Sequence, residues 1–245
     1  MSFSVSATVI KNWFQYRCER KARYEITDPT DLEAARVVRD VRRKAWADLG
    51  VDYEDRVVAR LQREQSVLRP PPGQDRLGET DSVAFLRGAV PFRYAAQLTL
   101  RPRRARPTFL AADSPVGLRA SFPDLVTVDR SGEVPVFGVI DVKATRNPRP
   151  FHKAQVAYYV RILESVLNDL GQRAQVSPEG EIWHLPEKAD SAGDDWTVSR
   201  FPLAPFLRLV DEFCAETLPA LSRKKVEAGR DETFFHLYFK CEQDR

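Results

Sequence analysis

DLVTVD (residues 124–129), RSGE (130–133) and VPVFGVIDVKA (134–144) follow one another in the middle of the chain. The first and third segments are rich in β-branched residues, which favour strands, and the short polar segment between them is typical of a turn. The apolar character of the third segment indicates a largely buried strand. The stretch therefore predicts a β-hairpin at the centre of the fold.

Two charged side chains interrupt the second strand of this hairpin. Side chains at positions i and i+2 of a strand share one face, so Asp141 and Lys143 point the same way. An acid and a lysine on an apolar strand are costly to bury unless they pair, bind a metal or take part in chemistry. The hairpin also brings Asp124 to this region, and converging carboxylates repel each other unless a divalent cation lies between them. The pattern predicts a metal site at the open end of the hairpin.

Helical and strand-like patterns surround the hairpin. Apolar residues at helical spacing predict helices over 31–49, 52–66, 150–170 and 203–222. Strand-like segments occupy 91–100, 108–112 and 181–185. Loops are predicted at 69–73, where three prolines follow one another, and at the polar, acidic stretch 186–195.

These elements predict an α/β fold, with a central mixed β-sheet flanked by helices. We expect one domain over residues 1–245, with a core at about 50–170. A helical N-terminal part (1–49) and a C-terminal part (171–245) would pack on that core.

Composition narrows the classes of protein to consider. There is no run of about 18 apolar residues, so no membrane span is expected. Three cysteines do not make a disulfide framework, and the first residues lack the order of a signal peptide, so a cytoplasmic location is expected. The chain has no phosphate-binding loop of the Gly-x-x-x-x-Gly-Lys-Ser/Thr type, and therefore no ATP motor of its own.

Two basic runs flank the acidic positions. Between residues 93 and 119 there are six arginines and one acid, and a second run extends from 143 to 153. Basic stretches attract phosphate backbones, although each run alone is equally typical of a solvated surface. Together they favour a nucleic acid as partner. The candidate contacts are Arg103, Arg104, Arg106, Arg146, Arg149, His152 and Lys153.

The order of these motifs resembles a known family. Pro123-Asp124, Asp141-Val-Lys143 and Gln155-x-x-x-Tyr159 resemble the RecB-like branch of the PD-(D/E)XK nucleases, which includes nucleases of recombination and of CRISPR adaptation. Gly50-Val-Asp-Tyr-Glu54 is similar to the family's first-helix motif. The segment from Ser4 to Lys21 resembles the N-terminal motif of the branch, with Glu19 where the family has proline.

The resemblance implies a role for each matching residue. Glu54, Asp124, Asp141 and the main-chain carbonyl of Val142 would bind Mg²⁺ or Mn²⁺, hard cations that prefer oxygen ligands. Lys143 would position the attacking water and stabilise the transition state. Gln155 and Tyr159, one helical turn apart, complete the catalytic set and would reach the same phosphate. Considered alone, Glu54 is also typical of a solvated helix acid, Gln155 of a residue that caps or bridges backbone, and Tyr159 of core packing.

The cysteines depart from the branch. Several RecB-like nucleases hold an iron–sulfur cluster with four cysteines, and only Cys18 and Cys241 stand at matching positions here. Asp244 stands where the next cysteine would be, and Cys214 lies on the apolar side of a predicted helix. No iron–sulfur cluster is expected in this chain.

Three functions are consistent with these features. The first is a metal-dependent DNA nuclease. The resemblance implies that it is an exonuclease acting on DNA ends or single strands. It would work with a helicase supplied by another chain, in repair, CRISPR adaptation or antiphage defence. The second is a catalytically silent subunit that binds nucleic-acid ends in a helicase–nuclease assembly; the retained acids and lysine disfavour it. The third is a metal-dependent hydrolase of small phosphate esters, which the basic runs disfavour.

Overall fold

The computed structural model describes residues 3–28, 30, 43–64, 67–103, 107–187 and 196–224. Its helices are α1 (Ala7–Tyr16), α2 (Glu19–Ile26), α3 (Arg43–Glu64), α4 (Glu79–Leu86), α5 (Pro150–Asp169), α6 (Ala204–Glu212) and α7 (Leu218–Arg223), with a π-helical segment, Phe213–Thr217, between the last two. Its strands are β1 (Phe3–Val5), β2 (Val67–Leu68), β3 (Tyr94–Ala96), β4 (Val116–Leu118), β5 (Leu125–Asp129), β6 (Val136–Lys143), β7 (Gln175–Val176), β8 (Glu179–His184) and β9 (Thr197–Pro202).

A mixed seven-stranded sheet forms the centre of the described chain. Its strand order is β2-β3-β5-β6-β8-β9, and β7 pairs with the first part of β6. β6 runs parallel to β7 and β8, and β2 runs parallel to β3, whereas the other neighbours are antiparallel. Helices pack on both faces of this sheet, so the protein has an α/β fold with a mixed sheet flanked by helices.

The predicted hairpin is confirmed as the pair β5–β6. Leu125 lies opposite Ile140, and Asp129 lies opposite Val136. Continuing this register by one residue puts Asp124 opposite Asp141. The open end of the hairpin therefore carries both carboxylates.

The two faces of β6 enter different cores because successive side chains alternate across the sheet. Phe137 and Val139 join the larger core, which contains the inner side of α5. Ile140 and Val142 join a smaller core, in which α3 covers the other face. Asp141 and Lys143 share the parity of Phe137 and Val139, so they point to the α5 side.

Close packing of α5 on the sheet depends on Gly180 in β8. A Cβ atom at this position would lie 2.7 Å from the Phe201 ring and 2.9 Å from Val156 of α5. Both distances are shorter than real carbon contacts allow. The absent side chain therefore lets α5 approach the sheet, and α5 is the helix that carries Gln155 and Tyr159.

The N-terminal part, predicted as helical, contains α1 and α2 and also the strand β1. β1 pairs in parallel with β4 in a separate two-stranded sheet. The Tyr158 hydroxyl of α5 donates a hydrogen bond to the Val5 carbonyl at 3.2 Å, which ties this part to the core. None of the described helices combines the length and the apolar composition needed to cross a membrane.

Several predicted boundaries were wrong. Residues 108–112 form turns rather than a strand: the Leu110 N–H donates to the Pro107 carbonyl at 3.0 Å, and the chain is bracketed by Pro107 and Pro115, which have no N–H for a sheet. The strand expected over 91–100 covers only Tyr94–Ala96, because Gln97 has a left-handed backbone with φ 52°. The strand β9 was not predicted.

The helix predictions hold better. The helix expected over 52–66 begins earlier, at Arg43, and ends at Glu64. It therefore includes the end of the helix predicted over 31–49, whose residues 31–42 lie outside the described residues. α5 matches its prediction, and the segment predicted at 203–222 is helical with a π-helical turn inside it. The loop at 69–73 is confirmed, while most of the loop predicted at 186–195 lies outside the described residues.

Candidate active site

Asp124 stands immediately before β5, at the open end of the hairpin. Its Oδ2 atom accepts a hydrogen bond from the Val142 N–H at 2.8 Å, and its own carbonyl accepts from the Gln97 N–H at 3.1 Å. The side chain is thus fixed across the gap between β5 and β6. It is nearly buried, with 9% of its surface exposed.

The Lys143 ammonium lies among three oxygen atoms. Its Nζ atom is 2.8 Å from Asp141 Oδ1 and 3.3 Å from Asp124 Oδ2. It also donates to the Val142 carbonyl at 3.1 Å. Two carboxylates and one main-chain carbonyl therefore surround a single cationic position.

Asp141 is fully buried, and its carboxylate is poorly satisfied. The contact with Lys143 is an ion pair by distance, but neither Asp141 oxygen has a hydrogen bond of good geometry in the described structure. Burial raises the pKa of Asp141 to about 7, against the opposing effect of Lys143. A buried carboxylate in this state binds a cation readily, because the cation replaces the lost hydration.

Glu54 approaches from α3, on the other side of the hairpin end. Its Oε2 atom accepts a long hydrogen bond from Gln97 Nε2 at 3.4 Å. Burial, followed by the charge of Asp124, raises the pKa of Glu54 to about 8, and Lys143 opposes that rise. Glu54 is therefore part of the same electrostatic centre, although it does not contact the lysine.

Gln155 and Tyr159 lie on the buried side of α5. Gln155 Nε2 donates to the Tyr159 hydroxyl at 3.3 Å. Burial, together with the negative charges of Asp124 and Asp141, raises the pKa of Tyr159 above its usual range. The two side chains predicted to share one helix face are thus brought to the carboxylates.

Sequence reasoning missed Lys11, a cation in α1 beside this centre. Burial and the charge of Lys143 lower its pKa, while Asp141 and Asp124 act in the opposite direction. A lone lysine in a short amphipathic helix carries no sequence signal for such a position. Gln97 was also missed; its left-handed backbone could be found only in the structure.

The charges of the centre do not balance. Three carboxylates, those of Glu54, Asp124 and Asp141, face the two lysines Lys11 and Lys143. Burial is the main reason that the pKa values of Asp141 and Glu54 are raised, and the charge of Asp124 adds to the rise in both. A further cation would offset the excess negative charge.

The residues fit a divalent cation in part. The oxygens of Asp124, Asp141 and Val142 converge on one position, and all are hard ligands of the type that Mg²⁺ and Mn²⁺ prefer. Within the described ranges, however, no three carboxylate, histidine or cysteine side chains converge as a ready metal cluster. Glu54 lies on the other side of the hairpin end from the aspartate pair, and its role as a ligand stays a prediction.

A cleft of about 560 Å³ opens beside the aspartates. Glu54, Asp124 and Val142 line one part of it, and the loop 69–76 lines another. The cleft connects Glu54 and Asp124 with solvent, so a substrate has a route to these two carboxylates.

The residues of the second basic run lie in different surroundings. Arg146 and Arg149 are exposed, and Arg149 is the N-cap residue of α5. His152 Nδ1 accepts from the Arg149 N–H at 3.2 Å, and burial, with the charges of Lys143 and Lys11, lowers the pKa of His152 to about 3. Lys153 lies 5.3 Å from the centre of the Phe201 ring, away from the carboxylates.

Of the three candidate contacts in the first basic run, only Arg103 is described, and it does not lie at the candidate active site. The Arg103 guanidinium pairs with Glu79, and the main-chain N–H of Arg103 donates to Asp169 at 2.5 Å. Asp169 ends α5, ten residues after Tyr159, which at 1.5 Å per residue is about 15 Å along the helix. Arg104 and Arg106 lie outside the described residues.

The cysteines occupy structural positions. Cys18 is buried at the N-cap of α2, where its Sγ atom accepts from the Lys21 N–H at 3.5 Å. Cys214 is buried in the core, and burial raises the pKa of its thiol. Cys241 lies outside the described residues, so the absence of an iron–sulfur cluster stays a prediction.

Comparison with protein-family models, with curated proteins and with solved structures found no match in any of the three. The function proposed for the chain therefore rests on its residues and on the geometry of this centre.

Proposed function

We propose that the protein is a metal-dependent nuclease that hydrolyses phosphodiester bonds of DNA, with a PD-(D/E)XK-type centre. One observation carries the proposal: oxygens of Asp124, Asp141 and Val142 all lie within 3.3 Å of a single cationic position, which the Lys143 ammonium occupies. Two buried carboxylates share this one ammonium, so negative charge remains that a divalent cation would offset.

Asp124, Asp141 and the Val142 carbonyl would hold Mg²⁺ or Mn²⁺, and Glu54 would add its charge from across the cleft. The bound ion would lower the pKa of a water molecule and offset the charge that develops on the phosphate. The flexible four-carbon stem of Lys143 lets its ammonium move aside and remain next to the same oxygens.

The remaining polar groups have roles that follow from their positions. The Lys143 ammonium is a donor that can hydrogen-bond to a phosphate oxygen as its charge grows. Tyr159 stays protonated at neutral pH, because its pKa is raised, so its hydroxyl can donate. Gln155 holds that hydroxyl at 3.3 Å and so fixes its direction.

Nucleic acid is the substrate class that the surroundings support. Arg146 and Arg149 are exposed within a few residues of Lys143, where they can contact a phosphate backbone. Action on DNA ends, a helicase partner and a place in repair, CRISPR adaptation or antiphage defence belong to the proposal through the resemblance alone.

The experiment compares two aspartates of the same hairpin. Linear and circular DNA, single- and double-stranded, is incubated with Mg²⁺, Mn²⁺ or EDTA, and cleavage is followed on gels. We expect cleavage that needs the divalent ion, and a loss of about 100-fold or more in Asp141→Asn. Asp129→Asn is the matched control, because Asp129 is exposed at the far end of β5.

Asp141→Asn should remain folded, since asparagine has nearly the same size and shape as the aspartate side chain it replaces. Cleavage that persists in EDTA, or in a folded Asp141→Asn protein, would contradict the proposal. DNA binding by the wild-type protein without cleavage under any metal condition would instead indicate the silent end-binding subunit.

A further inference from the structure

One arginine at the cleft has no role in the chemistry described so far. The Arg76 guanidinium lies 3.7 Å from the centre of the Phe122 ring, and Phe122 comes two residues before Asp124. Arg76 and Asp124 line the same cleft. The arginine is exposed, whereas the phenylalanine beneath it is half-buried.

The backbone next to Arg76 is fixed to the centre. Leu77 is buried, its N–H donates to the Gln97 carbonyl at 3.0 Å, and its carbonyl accepts from Thr99 Oγ1 at 2.6 Å. Gln97 in turn donates its N–H to the Asp124 carbonyl. Arg76 is thus connected to the candidate metal ligand through an unbroken series of short contacts.

The chemistry of this stack suits an anion. Phe122 covers one face of the guanidinium, which restrains the plane of the group and leaves its N–H edges uncovered. Among the described residues, no carboxylate or carbonyl accepts from these N–H groups. An arginine held in this way is preorganised for two parallel hydrogen bonds to a phosphate.

We propose that Arg76, held on Phe122, binds a backbone phosphate of a nucleic-acid strand that enters the cleft beside Asp124. This inference rests on the proposed nuclease function and names a residue that holds its substrate.

The cleft beside Asp124 is open to solvent, and Arg76 belongs to its wall. Acids such as Glu54 and Asp55 also line the cleft, so the arginine supplies attraction that they do not.

The test measures binding and cleavage separately. Binding of a fluorescein-labelled oligothymidylate is followed by anisotropy with Ca²⁺ in place of Mg²⁺, for wild type, Arg76→Gln and Arg76→Lys. Arg93→Gln is the matched control, because Arg93 is an exposed arginine over the Tyr94 ring, at 5.6 Å, at the far end of β3.

We expect Arg76→Gln to weaken binding about tenfold and to reduce the slope of log affinity against log salt by about 0.7, the value for one phosphate contact with a single strand. Arg76→Lys should recover part of the affinity, since it keeps the charge and loses the planar pair. In Mg²⁺, Arg76→Gln should raise KM more than it lowers kcat. Arg93→Gln should behave as wild type.

Wild-type affinity in a folded Arg76→Gln protein would overturn the inference and leave the nuclease function standing if the wild type cleaves. If Arg76→Gln does not fold, Arg76→Lys decides: full wild-type affinity there also overturns it. Weaker binding by Arg76→Gln, with no cleavage by any form, would remove the nuclease function and keep the strand site. No binding by the wild type would remove both.

Discussion

Arg103 and Arg149 come from basic runs of similar composition, yet the fold gives them different surroundings. The two arginines lie at opposite ends of α5. Arg149 is the N-cap residue of this helix, and Arg103 contacts Asp169, its last residue. Arg149 is exposed six residues after Lys143, while Arg103 pairs with Glu79. Arg103 therefore shares one acid with Arg101, at 3.1 Å from Glu79, and Arg149 does not.

The difference shows that arginines close together in the sequence can lie beside acids or apart from them in the fold. Arg101 also pairs with Glu79, at 3.1 Å, so one glutamate engages two arginines of the first run. In the second run, Lys143 is engaged as well, but with the carboxylates of the candidate site itself.

The largest expected effect is that of Lys143→Ala. We expect cleavage to fall by about 100-fold or more while oligonucleotide binding changes little, because the lysine acts on the transition state and binding is spread over several cations. Lys153→Ala is the control within the same run, since Lys153 packs beside Phe201 and Phe206. Single-turnover cleavage and anisotropy provide the two measurements. Near wild-type turnover in Lys143→Ala would place the chemistry elsewhere.

A smaller effect separates the two runs directly. The double variant Arg146→Gln/Arg149→Gln should weaken DNA binding and reduce the salt slope by about 1 to 2, as expected for the loss of two phosphate contacts. The matched double variant Arg101→Gln/Arg103→Gln should reduce the slope less, because Glu79 offsets one of these two charges. Equal slopes in the two double variants would remove the distinction drawn from the structure.

The smallest effect concerns His152, whose pKa is lowered to about 3 by burial and then by Lys143, Lys11 and Arg149. The unfolded chain protonates this histidine below its ordinary pKa of about 6.5, and the folded protein does not, so stability falls as pH drops from about 6.5 towards 3. His152→Gln should reduce this loss.

Thermal midpoints of wild type and His152→Gln between pH 7 and pH 4.5 measure the effect as a difference in slope. The two curves should run in parallel above pH 7, where the histidine is neutral in both states. Parallel curves over the whole range would show that His152 is protonated in the folded protein and therefore available to a phosphate.

Much of the fold follows from local patterns. The β-branched segments and the short turn predict β5 and β6, and the spacing of apolar residues predicts α5 almost to its ends. The strand predicted at 108–112 was wrong. Its apolar residues, Phe109 and Leu110, are buried, but they belong to turns and not to a strand. Apolar content reports burial, and does not by itself report the backbone conformation.

The residues of the candidate site likewise fall into those that local spacing predicts and those that it does not. The i, i+2 spacing put Asp141 and Lys143 on one face, and the short hairpin put Asp124 beside them. Lys11 and Arg76 had no such signal, because each comes from a distant part of the chain and its partners are brought to it only by packing.

The sequence by itself determined the α/β class, the central hairpin and the helix that carries Gln155 and Tyr159. Each of these depends on spacing within one segment, where backbone geometry fixes which side chains share a face. Only the tertiary structure decided which charges are available. Whether an arginine lies against Glu79, over Phe122 or in solvent depends on contacts between residues far apart in the chain, and those contacts set its electrostatic surroundings.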